Sequence, residues 1–236
     1  QEGQPISSFY GRIVDGIFAS EAEVANAPSQ GFATNADGVG RFRYRDINGD
    51  GTINDDDRTF IGSPHPDFTY GVNLRMAYKG FDMSAFFQGS QGNDIFNNDK
   101  VYTDFPTFFN ANRSVRVLDS WTPDNLDAEL PALSQSITNN EGTANSFFVE
   151  DGSYMRLKNL QIGYTFDEEV SSYLGMDSVR LYLQGTNLFT ITGYDGVDPE
   201  LQPRLDGGAI DNLTIGVSDN NYPLAAIYSF GVNLKF

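Results

Sequence analysis

The most specific chemical pattern in the sequence is a stretch of oxygen-bearing side chains, residues 46–57. Counted as a twelve-residue loop, it has oxygen side chains at positions 1, 3 and 5, a glycine at 6 and a carboxylate at 12. This spacing is that of an EF-hand loop, in which oxygens surround a hard divalent cation. We predict that a structural Ca²⁺ is bound by Asp46, Asn48, Asp50, the carbonyl of Thr52, Asn54 (directly or through water) and Asp57.

Two features of this loop indicate what a bound ion does. Asp57 stands where the usual loop has a glutamate, and no long helical pattern flanks the loop. A calcium sensor with paired helices is therefore disfavoured, and a clip that fixes the loop is favoured, with Ile53 anchoring it to a core. The alternative is an acidic turn, rich in Asn-Gly and Asp-Gly, that holds no metal.

Residues that could support catalysis are few. The chain has no cysteine, and its single histidine, His65, lies between two prolines, a setting typical of a rigid strand-entry residue. The carboxylate pairs Asp94/Asp99 and Asp124/Asp127 could serve as glycosidase acids, but they fall in predicted loops, where acidic side chains are usually solvated. The sequence has no phosphate-binding glycine loop and no zinc-ligand spacing, so we expect no enzymatic activity.

Aromatic side chains in a long predicted loop are candidate ligand contacts, because a ring can stack on a sugar or on an apolar side chain. These candidates are Tyr102, Phe105, Phe108, Phe109 and Trp121. The alternative is that the rings pack the loop against the protein itself or against a partner. The sequence leaves both open.

Composition narrows the class of protein. Thirty-two acidic residues against fifteen basic ones give a net charge of −17, which repels nucleic acid and leaves no basic patch for phosphates. The 19 Phe, 12 Tyr and 24 Gly favour an all-β chain over a helical one. No apolar run approaches the ~20 residues that a membrane-spanning helix requires.

Alternating apolar residues predict five β-strands. Period two runs through residues 68–78 and resumes after Lys79-Gly80, which predicts a tight antiparallel hairpin. The apolar phase switches near Lys158, which predicts a β-bulge or a change of environment along one long strand. The remaining strands are predicted over residues 147–166, 178–192 and 226–236.

The two faces of these strands differ in composition. One carries Tyr and Phe near the strand ends, as in the aromatic girdles of an outer-membrane barrel, and the other carries polar residues and glycine suited to a wet lumen. Five strands are too few to close a barrel, so we expect the chain to be part of a larger one. The residues predicted to face lipid are Tyr70, Val72, Leu74, Phe81, Met83, Ile162, Tyr164, Leu181, Leu183, Tyr228, Phe230, Val232 and Leu234.

The connections between strands are short at one end and long at the other. Outer-membrane barrels are built in this way, with the long loops outside the cell and the short turns in the periplasm. The predicted organisation is an extracellular region, 1–65, with the calcium loop 46–57; a barrel hairpin, 66–96; an extracellular loop, 97–146; a second hairpin, 147–192; an extracellular loop, 193–221; and a last strand, 222–236, ending in the periplasm.

Several short motifs along the chain match those of a known family. They are residues 5–11, 15–18, 46–62, 66–71, 78–82, 87–89, 92–95, 187–190, 198–200 and 228–236, and the stretch Phe148-Val149-Glu150-Asp151-Gly152-Ser153-Tyr154-Met155-Arg156-Leu157-Lys158-Asn159-Leu160. Taken in their order along the chain, they resemble the SusC/RagA family of TonB-dependent outer-membrane transporters of Bacteroidetes. The resemblance covers nearly the whole chain and is weakest over 21–40 and 97–146, where the family also varies.

This resemblance implies a fold and a set of partners. The fold is an antiparallel transmembrane β-barrel of about 22 strands with a plugged lumen, of which this chain supplies the C-terminal strands. The family imports large nutrients, glycans or peptides, across the outer membrane with energy from TonB and a SusD-like lipoprotein as a lid. The plug, the remaining barrel and the TonB contact are then expected in an N-terminal region outside this sequence.

The competing interpretation is a secreted, calcium-stabilised β-sandwich that binds carbohydrate. It accounts for the alternation, the aromatic content and the acidity. It does not account for the difference between the two sets of connections. A sandwich is also expected to be soluble without detergent, whereas a piece of a barrel is not.

Overall fold

The computed structural model describes residues 3–105, 112–134, 139–202, 205–206, 209–210, 214–219 and 222–236. Its strands are β1 (Phe9–Arg12), β2 (Val14–Ile17), β3 (Phe42–Tyr44), β4 (Arg58–Gly62), β5 (Phe68–Tyr78), β6 (Phe81–Gln91), β7 (Asp94–Asn97), β8 (Val149–Asp151), β9 (Tyr154–Thr165), β10 (Ser178–Thr186), β11 (Thr190–Thr192), β12 (Leu205–Asp206), β13 (Ala209–Ile210), β14 (Val217–Ser218) and β15 (Ile227–Lys235). The α-helices are α1 (Glu21–Asn26), α2 (Asn35–Gly38), α3 (Asp99–Thr103) and α4 (Glu168–Tyr173), and 3₁₀ turns cover Asp55–Asp57, Val115–Asp119 and Ser146–Phe148. Among the described residues, no helix has the length and apolarity needed to cross a membrane.

The chain folds as two compact units, each assembled from three segments. Unit 1 comprises Gln1–His65, Asp94–Glu150 and Leu201–Asn221, and unit 2 comprises Pro66–Asn93, Asp151–Glu200 and Tyr222–Phe236. Unit 2 thus contains the long alternating strands, and unit 1 contains the segments between them.

Unit 2 is built on one antiparallel sheet. Its strand order is β15-β10-β9-β6-β5, and β11 pairs with β9 beyond the end of β10. Within the described residues, β5 and β15 each have a neighbour on one side only, so the sheet is open. An unclosed sheet of this kind is what a portion of a larger barrel presents.

The hairpin between β5 and β6 confirms the predicted tight turn. Tyr78 pairs directly with Phe81. The two residues between them have positive φ, 46° at Lys79 and 84° at Gly80. Positive φ at both central residues is the type I′ arrangement, whose twist matches that of the flanking strands.

The strand register places every residue of the predicted lipid-facing set on one face of the sheet. Residues directly opposite each other in an antiparallel sheet share a face. One such row runs through Met76, Met83, Ile162, Leu183 and Phe230, and the next through Phe81, Tyr164, Leu181 and Val232. On the other face, a parallel row is entirely polar and runs through Arg75, Ser84, Gln161, Gln184 and Ser229.

A β-bulge lies at Lys158, where the sequence predicted either a bulge or a change of environment. Phe86 pairs with Asn159 and Phe87 pairs with Leu157, so Lys158 is the extra residue. Because a strand alternates with period two, one extra residue exchanges the two faces. The bulge therefore keeps both Leu157 and Leu160 on the apolar face despite their odd separation in sequence.

Two predicted strands are interrupted in the structure. The strand predicted over 147–166 begins as a 3₁₀ turn and breaks after β8, where the Asp151 side chain accepts the Ser153 N–H at 2.8 Å. The strand predicted to reach residue 192 bends at Asn187, whose φ is 52°, before β11 resumes the pairing with β9. In both cases a short polar residue supports a local turn that competes with continued pairing.

Unit 1 is a set of small sheets around an aromatic core. β1 pairs with β4, β2 with β3 and β12 with β13, and β7 lies between β14 and β8. Phe42, Tyr44, Phe105 and Phe148 form the buried centre, and the Phe42 and Phe105 rings meet edge to face at 6.2 Å. Ile53 packs against this cluster, so the predicted anchoring of the acidic loop to a core is confirmed.

Candidate functional site

The acidic loop, residues 46–57, follows β3 and ends in the 3₁₀ turn before β4. Gly49 and Gly51 have φ of 76° and 81°, a left-handed conformation that glycine adopts without steric cost. Ser29 secures the loop: its N–H donates to the Gly51 carbonyl at 2.9 Å and its carbonyl accepts the Ile53 N–H at 2.8 Å. The loop is thus held at its centre as well as at its two ends.

Asp57 is fully buried and closes the loop from inside. Its Oδ1 accepts the Ile47 N–H at 2.9 Å and its Oδ2 accepts the Asn54 N–H at 2.8 Å. Burial by itself would raise the pKa of this carboxyl, but the Asn54 and Ile47 N–H groups outweigh burial and hold the pKa below its usual range. A negative charge therefore persists inside the loop at neutral pH.

The remaining predicted ligands turn their oxygens back onto the loop backbone. Asp46 accepts the Gly49 and Gly51 N–H groups at 2.7 and 2.8 Å, and Asp50 accepts the Thr52 N–H at 2.8 Å. Asn48 Oδ1 accepts the Asp50 N–H at 2.9 Å, and Asn54 Oδ1 accepts the Asp56 N–H at 2.7 Å. In the described ranges, no three His, Asp or Glu side chains are drawn together as around a metal ion.

This set of donors nevertheless fits a hard cation by its chemistry. Every predicted ligand atom is an oxygen, as Ca²⁺ requires, and three of the six residues are carboxylates. A carboxylate or amide oxygen that accepts one N–H keeps further acceptor capacity. The loop is therefore folded as a turn whose oxygens remain competent to coordinate.

Arg12 braces the exit of the loop and was not singled out from the sequence. Its guanidinium is buried and donates to the Asn54 carbonyl at 3.3 Å and to Asp55 Oδ1 at 3.0 Å. The contact spans more than 40 residues of sequence, which is why local spacing gave no signal for it.

The aromatic candidates do not form one exposed surface. Phe105 belongs to the core of unit 1, and Trp121 is buried with its ring against Gly40. Both rings pack against the protein itself, which is one of the two alternatives that the sequence left open. Tyr102 is exposed, and a ligand contact there stays a prediction. Phe108 and Phe109 lie outside the described residues.

The residues considered for catalysis make structural contacts. His65 is exposed, with Nε2 at 2.8 Å from the Ile6 carbonyl oxygen. Asp94 accepts the Ser63 N–H at 2.8 Å, and Asp99 accepts the Ser218 hydroxyl at 2.7 Å.

A buried ion-pair network in unit 2 joins two parts of the sequence that were noted only as family motifs. Arg156 bonds to Asp198 at 2.5 Å and to Glu200 at 2.9 Å, and Lys158 bonds to the same Glu200 at 2.7 Å. Asp198 also accepts the Leu224 N–H at 3.0 Å. Burial raises the pKa of Asp198, but the Leu224 N–H and the Arg156 guanidinium outweigh it, so the pKa lies below its usual range. These four side chains form the clamp of unit 2.

Comparison with known proteins gives consistent matches. The TonB-dependent receptor P3 of Formosa agariphila is 38% identical over the whole chain, which spans 23% of that receptor. The TonB-dependent receptor SusC of Bacteroides thetaiotaomicron is 30% identical over 82% of the chain, which spans 17% of its length. No family model matches the chain.

The fold agrees with these sequence matches. The structure of the RagAB peptide importer in its open-open state matches 97% of the chain with a TM-score of 0.71 and 25% identity, and the match covers 22% of that chain. The unit 2 sheet is therefore a set of strands from an outer-membrane β-barrel, as predicted. The sandwich interpretation is set aside, because the match is to a barrel.

The chain is homologous over its whole length to TonB-dependent receptors of the SusC/RagA kind, which confirms the resemblance drawn from its motifs. The matches are consistent with the chain being the C-terminal portion of such a receptor. The chain spans 17 to 23% of the length of these two receptors. The named relatives are receptors and an importer of the outer membrane rather than enzymes.

Proposed function

We propose that this chain is part of an active importer that moves large nutrients, glycans or peptides, across the bacterial outer membrane. The observation that carries this proposal is the unit 2 sheet, whose apolar face continues across five strands while the opposite face carries a polar row from β5 to β15. Such a wall separates lipid from a wet lumen. Homology to TonB-dependent receptors along the whole chain supports energisation by TonB, reached through a region outside this sequence.

The orientation of the wall in the membrane is part of the proposal. The β5–β6 turn, the connection through α4 and the end of β15 all lie at one edge of the sheet, since Phe81 pairs with Tyr164 and Ser178 pairs with Lys235. Barrels keep short connections on the periplasmic side. We therefore assign this edge, with Phe236, to the periplasm and the segments of unit 1 to the cell exterior.

The outward segments suggest the remaining partners. A SusD-like lipoprotein acts as a lid over the barrel, and unit 1 supplies part of the surface that meets it. The similarity to the RagAB peptide importer supports an assembly of this kind. The plug and the remaining strands complete the lumen, and outer-membrane lipid surrounds the apolar face.

The acidic loop serves as a calcium clip in this assembly. Asp46, Asn48, Asp50, Asp57, the Thr52 carbonyl and Asn54 hold one structural Ca²⁺, and Ile53 transmits that rigidity to the aromatic core. The buried charge of Asp57 and the anchoring through Ser29 support this role. The ion fixes an outward loop and takes no part in a reaction, because the chain does no chemistry of its own.

Uptake measurements test the proposal. The full-length gene is expressed with and without its lipoprotein neighbour, and uptake of candidate glycans and peptides is followed with the TonB system intact or disabled. We expect uptake to require TonB and to fall without the lipoprotein. Uptake that persists unchanged without TonB would leave a passive porin, and turnover of a glycan or peptide by the purified protein would show an enzyme.

A further inference from the structure

A cavity of about 480 Å³ lies within unit 1 and has no role in the function proposed above. β2 and the 146–150 segment form two of its walls, and the Val14 N–H donates to the Ser146 hydroxyl at 2.9 Å to join them. Its volume is in the range of pockets that hold small ligands or single peptide side chains.

One part of the cavity lining is apolar. Ile17, Phe42, Phe147 and Val149 line it, and Phe42 is almost fully buried. The Phe42 and Phe147 rings lie 5.3 Å apart and brace each other. A ligand that enters therefore meets a preformed apolar wall, and its buried part has to be apolar as well.

The charge on the cavity is negative once its internal pairs are considered. Lys100 Nζ bonds to Glu150 Oε1 at 2.7 Å, and both side chains are nearly buried. Asp15 is paired with the exposed Arg45. Glu129 is exposed at the cavity, and none of the cations in the described ranges pairs with it. The Glu129 carboxylate is thus the charged group that remains available to a ligand, and it lies beside the apolar part of the cavity lining.

A β-bulge shapes the wall of the cavity that β2 forms. The register between β2 and β3 shifts between Val14 and Gly16, so Asp15 is the extra residue. Bulges re-aim side chains and occur next to binding sites more often than elsewhere. At this bulge Gly16 has a φ of 144°, which glycine alone adopts readily. The backbone of this wall therefore depends on a glycine at position 16.

We propose that this cavity binds a positively charged amino group carried on an apolar stem, with the stem against Phe147 and Val149 and the ammonium at Glu129. A lysine side chain of a peptide and a free alkyl amine share this chemistry. The inference rests on the proposed import function and favours peptides as the nutrient, since a neutral glycan offers the carboxylate hydroxyl donors but no positive charge.

Calorimetry on the purified full-length transporter tests the binding. The probes are N-acetyl-Ala-Lys-Leu-amide, whose one charge is the lysine ammonium, the same peptide with acetylated lysine, 1,5-diaminopentane and a maltose oligosaccharide. We expect the charged peptide to bind and the acetylated peptide and the oligosaccharide to bind at least fivefold more weakly, roughly the effect of one exposed ion pair. Equal binding of the two peptides, or no binding of either, overturns the proposal. If diaminopentane binds as tightly as the charged peptide, the ligand of the cavity is a free alkyl amine rather than a peptide lysine.

Two variants locate the site. E129Q removes the charge with little change of shape, and Glu21→Gln, on α1, is the matched exposed control. A128W places a large ring at the cavity, where Ala128 is a lining residue. We expect E129Q and A128W each to weaken binding of the charged peptide and the control to leave it unchanged; binding that survives either variant overturns the site.

Access in the assembled transporter is tested separately. A128C is treated on intact cells with a membrane-impermeant maleimide, with the parent transporter as the background. Labelling that the charged peptide slows supports an open site, and labelling that the peptide does not affect overturns it. If the parent transporter does not bind the charged peptide but still takes up another nutrient in a TonB-dependent way, this inference is refuted. The proposed import function is then unaffected.

Discussion

At the residue scale, Glu141 holds together the part of unit 1 around β3. Its carboxylate accepts from Arg41 Nη1 at 3.0 Å and from the Phe42 N–H at 3.1 Å. On the same strand, the Phe42 carbonyl accepts the side-chain amides of Gln30 and Asn139 at 2.8 and 2.7 Å. Along this edge of β3, side chains therefore make the hydrogen bonds to the backbone that a neighbouring strand would otherwise make.

The titration of Glu141 predicts a pH dependence of unit 1. Burial raises the pKa of Glu141 to about 7, against the opposing pull of Arg41. A carboxyl whose pKa is raised by folding stabilises the folded state at low pH and loses that contribution as pH rises through its folded pKa. For a folded pKa of about 7, protection of the β3 amides should rise about tenfold between pH 8 and pH 6.

Hydrogen exchange, corrected for intrinsic rates, measures this effect. E141Q, which does not titrate, should show protection independent of pH over that range, whereas Glu21→Gln should behave like the parent. Asp57 does not interfere, because its lowered pKa places its titration at more acidic pH. An E141Q variant that keeps the full pH dependence would assign the effect to another group.

The calcium clip makes a second prediction at this scale. D50A removes one predicted ligand that is exposed, so the fold should survive the change. D56A removes another exposed carboxylate of the same loop, one that is outside the predicted set. We expect the full-length protein to bind one fewer Ca²⁺ in D50A and the same number in D56A, measured by equilibrium dialysis. Equal calcium content in all three proteins would favour the metal-free acidic turn.

At the scale of elements, the sheet of unit 2 depends on register. Leu183 lies on the apolar face and Ser229 on the polar face, one position apart on neighbouring strands. L183R should cost about 2 to 4 kcal/mol if Leu183 lies near the bilayer midplane, whereas S229R, facing the lumen, should cost much less. Denaturant titration of the transporter in lipid vesicles measures both. A larger loss for S229R would mean that the polar face contacts lipid.

The clamp of unit 2 makes a separate prediction for the connection that carries Asp198 and Glu200. Arg156 and Asp198 are both buried, so R156M leaves a carboxylate in the interior without its cation. Removing one partner of a buried pair is more damaging than removing both. We expect faster proteolysis of residues 193–226 in R156M, and partial recovery when D198N is added. A double variant that is worse than R156M would contradict the clamp.

At the scale of the whole molecule, the open sheet explains why these residues do not act alone. β5 and β15 each pair on one side only in the described structure, and unpaired edges cannot face lipid. Large apolar side chains such as Met76, Phe230 and Leu183 are exposed on one face. Residues 1–236 expressed by themselves should therefore need detergent to stay in solution. Detergent-free monomers in analytical ultracentrifugation would contradict this expectation.

The sequence by itself determined the strands of the barrel wall. Period two is a local property, so it predicted the β5–β6 hairpin and the shared apolar face. It also located the phase switch at Lys158, because an extra residue has to reverse the alternation, although it left a bulge and a change of environment as alternatives. The acidic loop was found for the same reason, since its oxygens are set by spacing within twelve residues.

Only the tertiary structure decided which side chains meet across long stretches of sequence. The local sequence around Phe105 and Trp121 does not distinguish them from exposed aromatic residues in a loop. Their burial depends on partners such as Phe42 and Gly40, which lie more than 60 residues away. The clamp joins Arg156 to Asp198 across 42 residues, and the Glu141 pair joins segments 100 residues apart. Local periodicity carries no information about such contacts, because they form only when the chain folds back on itself.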